Sequence, residues 1–283
     1  MSNPKITIVT DSSSYIPETA TKGLDIAVIP LWLIWGEDNL QDGIDIQPAE
    51  FYKRLKESKT LPTSSQPSAM EFEKFFKSVA EKSDQIVSVL VSSKISGTID
   101  SARAAVTEFK EQQIPIVDSL NCSMGLGFAV LAAARAAAAG KSVDEVVAAA
   151  EAVKDKMHFL FVVDTLEYLH KGGRISGGKR LMGTALKIKP ILQFENGEIR
   201  PLSQARTNSK AIRQVFEIVQ ERLGEKKMVE VAVVDVDSPD EADMVADQLK
   251  ERFEIDTVHR AVVSPVVGTH VGPGTIGIAF YTE

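Results

Sequence analysis

A short polar segment between a predicted strand and a predicted helix, residues 90–98, has the residue types of an anion-binding loop. The apolar run before it predicts a strand, and a plausible helix begins at Ile99. The first turn of a helix has unpaired N–H donors and a positive dipole end, which together attract an anion. Gly97 lets a ligand approach the backbone closely, while Ser96 and Thr98 can either cap the helix or bind that ligand. The segment therefore predicts an anion site, with simple helix capping left open.

Three further loops carry rows of hydroxyl groups, at residues 11–14, 61–68 and 119–123. The first and the third follow β-rich apolar runs that predict strands, and two prolines hold the second loop extended. Strands alternate with predicted helices through this half of the chain, which indicates a mainly parallel sheet with helices on both faces. Because ligands bind at the carboxyl edge of such a sheet, we expect the polar loops to meet there.

Residues 24–34, almost wholly apolar but containing Pro30, predict an edge or interrupted strand, and residues 36–43 predict a turn. Ser68 and Ser142, each followed three residues later by Glu, predict the starts of two helices.

The second half of the chain has a different pattern. The Glu-Asn-Gly sequence at residues 195–197, between two strand-like runs, is a strong hairpin signal. Residues 171–180 and 267–274 are both predicted to form glycine-rich loops, the first of them basic. We therefore predict an α/β protein with two domains. Residues 1–157 form a mainly parallel αβα sheet domain that carries the binding loops, and residues 158–283 form an α+β domain with antiparallel pairing.

The sequence lacks complete versions of several common catalytic and ligand-binding motifs. Residues 173–179 begin a phosphate-binding G-x-x-x-x-G-K signature, but Arg180 stands where Ser or Thr is needed for the metal, and no strand precedes the segment. The sequence has no G-x-S-x-G nucleophile elbow, and its 4 histidines lack metal-ligand spacing. A formal net charge of -7 argues against a nucleic-acid partner. No metal, nucleotide or other cofactor is predicted.

Cysteine usage and hydropathy favour a cytoplasmic location. The single cysteine, Cys122, cannot form an internal disulfide, which fits a reducing compartment. Residues 1–5 are polar and lack the apolar core of a signal peptide. The most apolar run, residues 125–139, is too short to span a bilayer and contains Arg135. This run predicts a buried helix and no stable membrane insertion.

Each candidate residue also has a purely structural interpretation. Taken singly, Ser64 and Ser96 are more often turn and capping residues than ligands. Arg174 taken alone would usually be a solvated surface charge. Asp11 and Asp118, both at predicted strand ends, are expected to cap neighbouring loops. Only the combination of the loops favours binding.

Seven segments, in order across nearly the whole chain, together resemble the motifs of the DegV family. Each segment is weak alone, but their combination is highly specific. They are VTDS at residues 9–12, SSQPS at 64–68, SSKISGT at 92–98, VDS at 117–119, SMGLG at 123–127, LEYLHKGGRI at 166–175 and GTHVGPG at 268–274.

The resemblance implies a bacterial fatty-acid-binding protein, the FakB component of a two-part fatty acid kinase. Such a protein holds a long-chain fatty acid in a tunnel between or beneath two α/β domains, with the carboxylate accessible at the surface. A separate kinase subunit then uses ATP to phosphorylate the fatty acid to an acyl phosphate, which enters phospholipid synthesis. The resemblance thus implies a lipid-binding subunit rather than an enzyme, with the fatty acid as its only ligand.

The resemblance also implies roles for individual residues. Ser64 stands where the family usually has Thr in its T-S-Q-P-S motif, and it keeps the hydroxyl group. Ser96 matches the serine of the S-G-T motif, and His270 matches a family histidine that would help the carboxylate receive phosphate. Arg174 matches the arginine of G-G-R-I, and Arg206 a later arginine; both would lie near the phosphoryl group or the kinase contact. The implied ligand-binding residues are Ser64, Ser96, Gly97, Thr98, Ser123, Arg174 and His270, none of them catalytic on its own.

Two other functions stay open at this stage. One is a hydrolase or acyl-transfer enzyme that uses Ser96 with His270, which acyl-ester turnover abolished by Ser96→Ala would support. The other is a carrier for a different amphiphile, such as a retinoid-like or sterol-like molecule. Without the family resemblance, the sequence would not distinguish these two functions from that of a fatty acid carrier.

Overall fold

The computed structural model describes residues 4–109, 113–176 and 188–283. The strands are β1 Ile6–Asp11, β2 Ile26–Ile29, β3 Trp32–Trp35, β4 Asp38–Gln41, β5 Thr63–Ser65, β6 Gln85–Leu90, β7 Ile116–Asp118, β8 Met157–Val162, β9 Lys189–Glu195, β10 Glu198–Ala205, β11 Met228–Asp235, β12 His259–Val262 and β13 Ile276–Thr282. The helices are α1 Glu18–Thr21, α2 Pro48–Glu57, α3 Ala69–Ala80, α4 Thr98–Glu108, α5 Ser123–Ala138, α6 Val143–Lys154, α7 Glu167–Lys171, α8 Asn208–Leu223, α9 Pro239–Phe253 and α10 Pro265–Val271.

A parallel sheet with helices on both faces forms the first half of the protein, as predicted. Its strand order is β2-β1-β6-β7, and all three pairings are parallel. β1 and β6 are buried almost throughout and rich in Val and Ile, which suits strands covered on both sides. One face packs on α3 and α4 around Phe72 and Phe76, and the other packs on α5 and α6 around Leu126 and Val146.

A mixed sheet with the order β10-β9-β8-β13-β11-β12 forms the second half. Its neighbours pair antiparallel except β11 and β12, which are parallel. α8 and α9 cover one face, packing Phe216 and Leu249 against Phe280. The other face belongs to the same core as the first sheet, and α5 lies between the two sheets. The predicted α/β fold with two sheet domains is therefore confirmed, while the boundary after residue 157 stays a prediction.

Several local predictions agree with the structure. Ser68 and Glu71 form the reciprocal bonds of a capping box at the start of α3, as do Ser142 and Glu145 at α6. Asn196 and Gly197 both have positive φ and join β9 to β10, the conformation that a tight hairpin turn requires.

A small antiparallel sheet, with the order β4-β3-β5, corrects three sequence predictions. Residues 24–34 were expected to form one interrupted strand, but they divide at Pro30 into β2 and β3, which belong to different sheets. Residues 36–43, predicted to be a turn, contain β4, and the loop predicted at residues 61–68 contains β5. Pro30 lacks the N–H that a continuous ladder needs, so the chain leaves the first sheet there.

The prediction of a glycine-rich loop at residues 267–274 is wrong for most of that range, because residues up to Val271 belong to α10. Ser264 accepts a hydrogen bond from the Val267 N–H at 3.2 Å, and Pro265 occupies the first turn, so this helix begins with a regular cap. Gly268 is required by packing, since a Cβ atom there would lie 2.5 Å from the Tyr52 hydroxyl oxygen. Gly272, with φ of 76°, ends the helix.

Asp11 and Asp118 stabilise the loops at the carboxyl edge of the parallel sheet, which confirms their predicted structural role. Asp11 is fully buried and accepts hydrogen bonds from the N–H and hydroxyl of Ser13 and from the N–H of Val91, at 2.5–3.0 Å. Asp118 accepts from the hydroxyl of Ser93 at 2.6 Å. These bonds connect the loop after β1 to the end of β6, and the loop after β6 to the end of β7.

We expect Asp11→Ala to lower the free energy of unfolding by about 3 kcal/mol, because it leaves buried N–H donors without acceptors. Asp118→Ala is the matched control, since Asp118 has the same place after a strand but makes more exposed contacts; it should cost about 1 kcal/mol. Urea unfolding followed by circular dichroism measures both values. Equal losses for the two variants would contradict the role assigned to Asp11.

Candidate ligand-binding site

A cavity, partly open to solvent, lies between the carboxyl-edge loops of the first sheet and the inner face of the second. Its walls are mostly apolar and come from both halves of the protein. Phe159 and Phe194 stack with ring centroids 5.6 Å apart, and Phe161 lies beside both rings. The apolar lining residues are Leu31, Val91, Ile95, Cys122, Phe159, Phe161, Phe194, Ile199, Val234, Val263, Val266, Val267 and Val271.

A hydrogen bond between Ser64 and His270 is the central polar contact in this cavity. Ser64 belongs to β5 and His270 to α10, and the distance between Oγ and Nε2 is 2.6 Å. Burial lowers the pKa of His270 to about 4, and the positive charge of Arg174 adds to this effect. The imidazole is therefore neutral near pH 7, and it can exchange one hydrogen bond with the serine hydroxyl without adding charge.

Arg174 supplies a positive charge at the same cavity. Its guanidinium donates to the carbonyl oxygens of Ile95 and Gly172, which hold it beside the cavity wall. In the described ranges of the chain, Arg174 has no acidic partner within ion-pair distance. Its charge is thus available to an anionic ligand. Lys179 and Arg180, in the basic segment after it, lie outside the described residues.

Ser96 also lines the cavity, whereas the next two residues, Gly97 and Thr98, do not. The Ser96 hydroxyl exchanges a hydrogen bond with that of Thr98 at 2.8 Å. Gly97 packs against the side chain of Gln66, and a Cβ atom there would lie 2.9 Å from its amide nitrogen. Of the three residues predicted to contact a ligand in this segment, the structure thus places Ser96 at the cavity wall and Gly97 and Thr98 behind it. These two residues position Ser96 and Gln66.

Ser123 and Arg206 occupy different places relative to the site. Ser123 lines the cavity at the first residue of α5. Arg206 is exposed after the last residue of β10 and does not line the cavity. β10 runs parallel to β8, because each pairs antiparallel with β9. Arg206 therefore lies at the edge of the second sheet where β8 ends, two strands from β8. Arg174 lies toward the opposite end of β10, since the N–H of neighbouring Ser176 donates to the carbonyl oxygen of Ile199 at 3.0 Å.

Several residues that line the cavity were not predicted from the sequence. Gln66 and Ser13 line the cavity, although both lie within segments already identified as polar loops. The sequence did contain a pattern that predicts the aromatic wall. Phe159 and Phe161 are two residues apart in β8, so their side chains lie on the same face of the sheet. Strand periodicity, however, could not predict that this face of the sheet meets the polar loops of the first half of the chain.

The geometry does not assemble the hydrolase site that the sequence left open. His270 bonds to Ser64 rather than to Ser96, whose hydroxyl contacts Thr98. Within the described residues the Nδ1 atom of His270 has no hydrogen-bond partner, so no carboxylate orients the ring as in a catalytic triad.

Two further features concern metals and membranes. Among residues 4–109, 113–176 and 188–283, no group of three or more His, Cys, Asp or Glu side chains is arranged to hold a metal ion. No helix in those ranges combines the length and apolar character needed to cross a bilayer.

In the ligand-free protein we expect the His270 imidazole to stay neutral until the pH falls to about 4, because protonation would place a second buried charge beside Arg174. A histidine NMR titration measures this pKa, with the resonance assigned by its loss in His270→Gln. A midpoint at or above the ordinary value of about 6.5 would contradict the electrostatic description of the site.

The comparisons with known proteins agree with this geometry. Residues 5–283 match the model of the family described as "Uncharacterised protein, DegV family".

A DegV domain-containing protein from Streptomyces coelicolor is 39% identical over 277 residues, covering 96% of this chain and 97% of the relative. The structure is similar to a DegV family protein from Thermus thermophilus, with a TM-score of 0.92 and 30% identity over 99% of this chain and 100% of that one. It also resembles DegV from Bacillus subtilis, with a TM-score of 0.88 and 31% identity over 99% and 100% of the two chains. With five of its seven characteristic segments contributing to one cavity and residues 5–283 matched, the chain belongs to the DegV family.

Proposed function

We propose that this protein binds a long-chain fatty acid in the cavity and presents its carboxylate to a separate ATP-dependent kinase subunit. The product would be an acyl phosphate for phospholipid synthesis, made in the cytoplasm, and the protein would be a lipid-binding subunit rather than an enzyme. The observation that carries the proposal is a mostly apolar cavity that also holds one cluster of neutral hydrogen-bonding groups and an arginine with no acidic partner among the described residues.

Relatives support the choice of ligand. The similar T. thermophilus protein binds fatty acid, and the similar B. subtilis DegV is a fatty acid binding protein. Both share about the whole length of this chain and its fold, and the cavity described here has the chemical character that such a ligand requires.

The polar cluster suits a carboxylate that has left water. Ser64 and Ser96 offer hydroxyl donors, the neutral His270 offers a ring nitrogen, and Arg174 offers the compensating charge. A buried carboxylate stays ionised only when such donors replace its hydration. Neutral hydroxyl donors leave electron density on the carboxylate oxygen, which keeps it able to attack a phosphoryl group.

The apolar walls suit the hydrocarbon chain. A chain of about 16 methylenes gains on the order of 10 kcal/mol of gross transfer free energy when it leaves water, at ~0.8 kcal/mol for each methylene. Two phenylalanines of β8 and one of β9 supply much of the wall against which the chain would pack. Affinity would thus come mainly from the tail, and the polar cluster would fix the position of the head group.

The proposed kinase step uses residues at the edge of the site. The carboxylate oxygen would attack the γ-phosphorus of ATP held by the partner, forming the acyl phosphate and releasing ADP. Arg174 would stabilise the charge that develops during this transfer. Arg206, exposed directly after the end of β10, is available for a contact with the kinase subunit.

Organic extraction of the purified protein under denaturing conditions should release a near-stoichiometric long-chain fatty acid, identified by mass spectrometry. The same extraction would detect a sterol-like or retinoid-like amphiphile. An empty extract, together with no thermal shift on adding palmitate or oleate, would remove the proposed ligand. Turnover of a p-nitrophenyl acyl ester by the protein alone, lost in Ser64→Ala or Ser96→Ala, would instead establish a hydrolase.

Substitutions should separate binding of the fatty acid from its phosphorylation. Ser96→Ala should weaken fatty acid binding about tenfold through the loss of one hydrogen bond to a charged group. Arg206→Ala should leave binding unchanged and slow phosphorylation by the kinase subunit at least tenfold. Arg200→Ala is the matched control, because it removes another exposed arginine of the same β10 hairpin, paired there with Glu195 and Glu198. Loss of fatty acid binding in Arg206→Ala would show that the assignment of this residue is wrong.

A further inference from the structure

The hydroxyl group of Ser123 is a buried polar group for which the described protein provides no partner. The residue is 2% exposed and lines the cavity among apolar neighbours. Its Oγ makes no hydrogen bond with any residue that the structure describes. Buried hydroxyls normally have a partner, so one that faces a binding cavity without a partner indicates a group of the ligand, or a trapped water, at that position.

The backbone around Ser123 shows that its hydroxyl is not used as a helix cap. Cys122 is the N-cap residue of α5, and Ser123 is the first residue of this 16-residue helix. The Ser123 N–H donates to the carbonyl oxygen of Ser13 at 3.0 Å, which fixes the start of the helix over the loop after β1. Ser123 holds a φ of 48°, a conformation that disfavours most side chains. The structure therefore keeps a serine in an unfavourable backbone conformation without using its hydroxyl.

Ser123 shares no hydrogen bond with the polar cluster that would hold a carboxylate. The hydroxyl of Ser64 contacts His270, that of Ser96 contacts Thr98, and Arg174 donates to two backbone carbonyls. None of these hydrogen bonds includes Ser123. With the carboxylate held by the cluster, as the proposed function assumes, Ser123 is left for another part of the ligand.

A plain methylene chain is a poor neighbour for this hydroxyl. It would shield Oγ from water and offer no hydrogen bond in return, which is unfavourable for binding. An oxygen atom on the chain would remove this penalty. The positive end of the α5 dipole lies at the same position, and it favours a group that presents a lone pair.

We propose that Ser123 and the N-terminus of α5 form an interior hydrogen-bonding subsite that takes an oxygen substituent on the acyl chain. The preferred ligand class is then a long-chain hydroxy or oxo fatty acid, with the oxygen at one particular distance from the carboxylate. This inference rests on the proposed function, because it assumes that a carboxylate occupies the polar cluster. It adds a second point of recognition to that site.

The test uses the full-length, delipidated protein and competition binding with stearate and a series of monohydroxystearates that differ only in the position of the hydroxyl. We expect one positional isomer to bind about tenfold more tightly than the other isomers, which corresponds to about 1.4 kcal/mol. Equal affinity of all isomers, the result if a trapped water satisfies Ser123, would overturn the subsite. Because the series is measured on the unaltered protein, it does not depend on the folding of any variant.

A substitution then assigns the preference to Ser123. Ser123→Gly removes the hydroxyl and accepts the positive φ, which Ser123→Ala would strain. It should reduce the ratio of affinities between the preferred isomer and the other isomers about tenfold. Ser96→Ala is the matched control, since it should weaken all the acids together and keep the ratio. An unchanged ratio in Ser123→Gly would overturn the assignment.

The two proposals fail in different ways. If stearate and every hydroxystearate fail to bind, the proposed function is wrong and the subsite is wrong with it. If stearate binds but no isomer is preferred, the fatty acid carrier stands and only the subsite is lost.

Discussion

The hydrogen bond between Ser64 and His270 is the interaction on which the organisation of the site depends. It joins two residues separated by 206 positions, one from the small antiparallel sheet and one from α10. Each partner needs its own support. Ser64 pairs with Leu33 of β3, and α10 begins at the cap provided by Ser264. Without this contact the cavity would lose the neutral hydrogen-bonded pair that lies beside its arginine.

A second constraint is that the polar cluster must exist inside an apolar cavity. A charged histidine next to Arg174 would place two buried positive charges together, and burial prevents this by lowering the pKa of His270 to about 4. Among the described lining residues, the site therefore combines one permanent charge with several neutral hydrogen-bonding groups. This combination suits the single carboxylate of the proposed ligand.

Helix α5 gives the cavity its fixed geometry, because it packs against both sheets. Its interior side carries Leu126 and Phe128 in the shared core, while Arg135 near its end forms a bidentate pair with Glu230 of β11 at 2.6 and 2.9 Å. The start of the same helix is fixed to the loop after β1 and carries Ser123 at the cavity wall. The helix that stabilises the contact between the two halves thus also determines how the interior of the cavity is lined.

The sequence by itself determined the elements whose cause is local. Alternating strands and helices predicted the parallel sheet, Ser68 and Ser142 predicted two capped helices, and the family segments identified Ser64, Ser96, Arg174 and His270, which the structure brings to one cavity. Only the tertiary structure decided that Pro30 divides two sheets, that α10 replaces a glycine-rich loop, and that His270 contacts Ser64 rather than Ser96. It also decided which side chains form the apolar wall. The physical reason is that capping and periodicity depend on neighbours in the chain, whereas these contacts depend on packing between distant segments, for which local sequence carries no distance information.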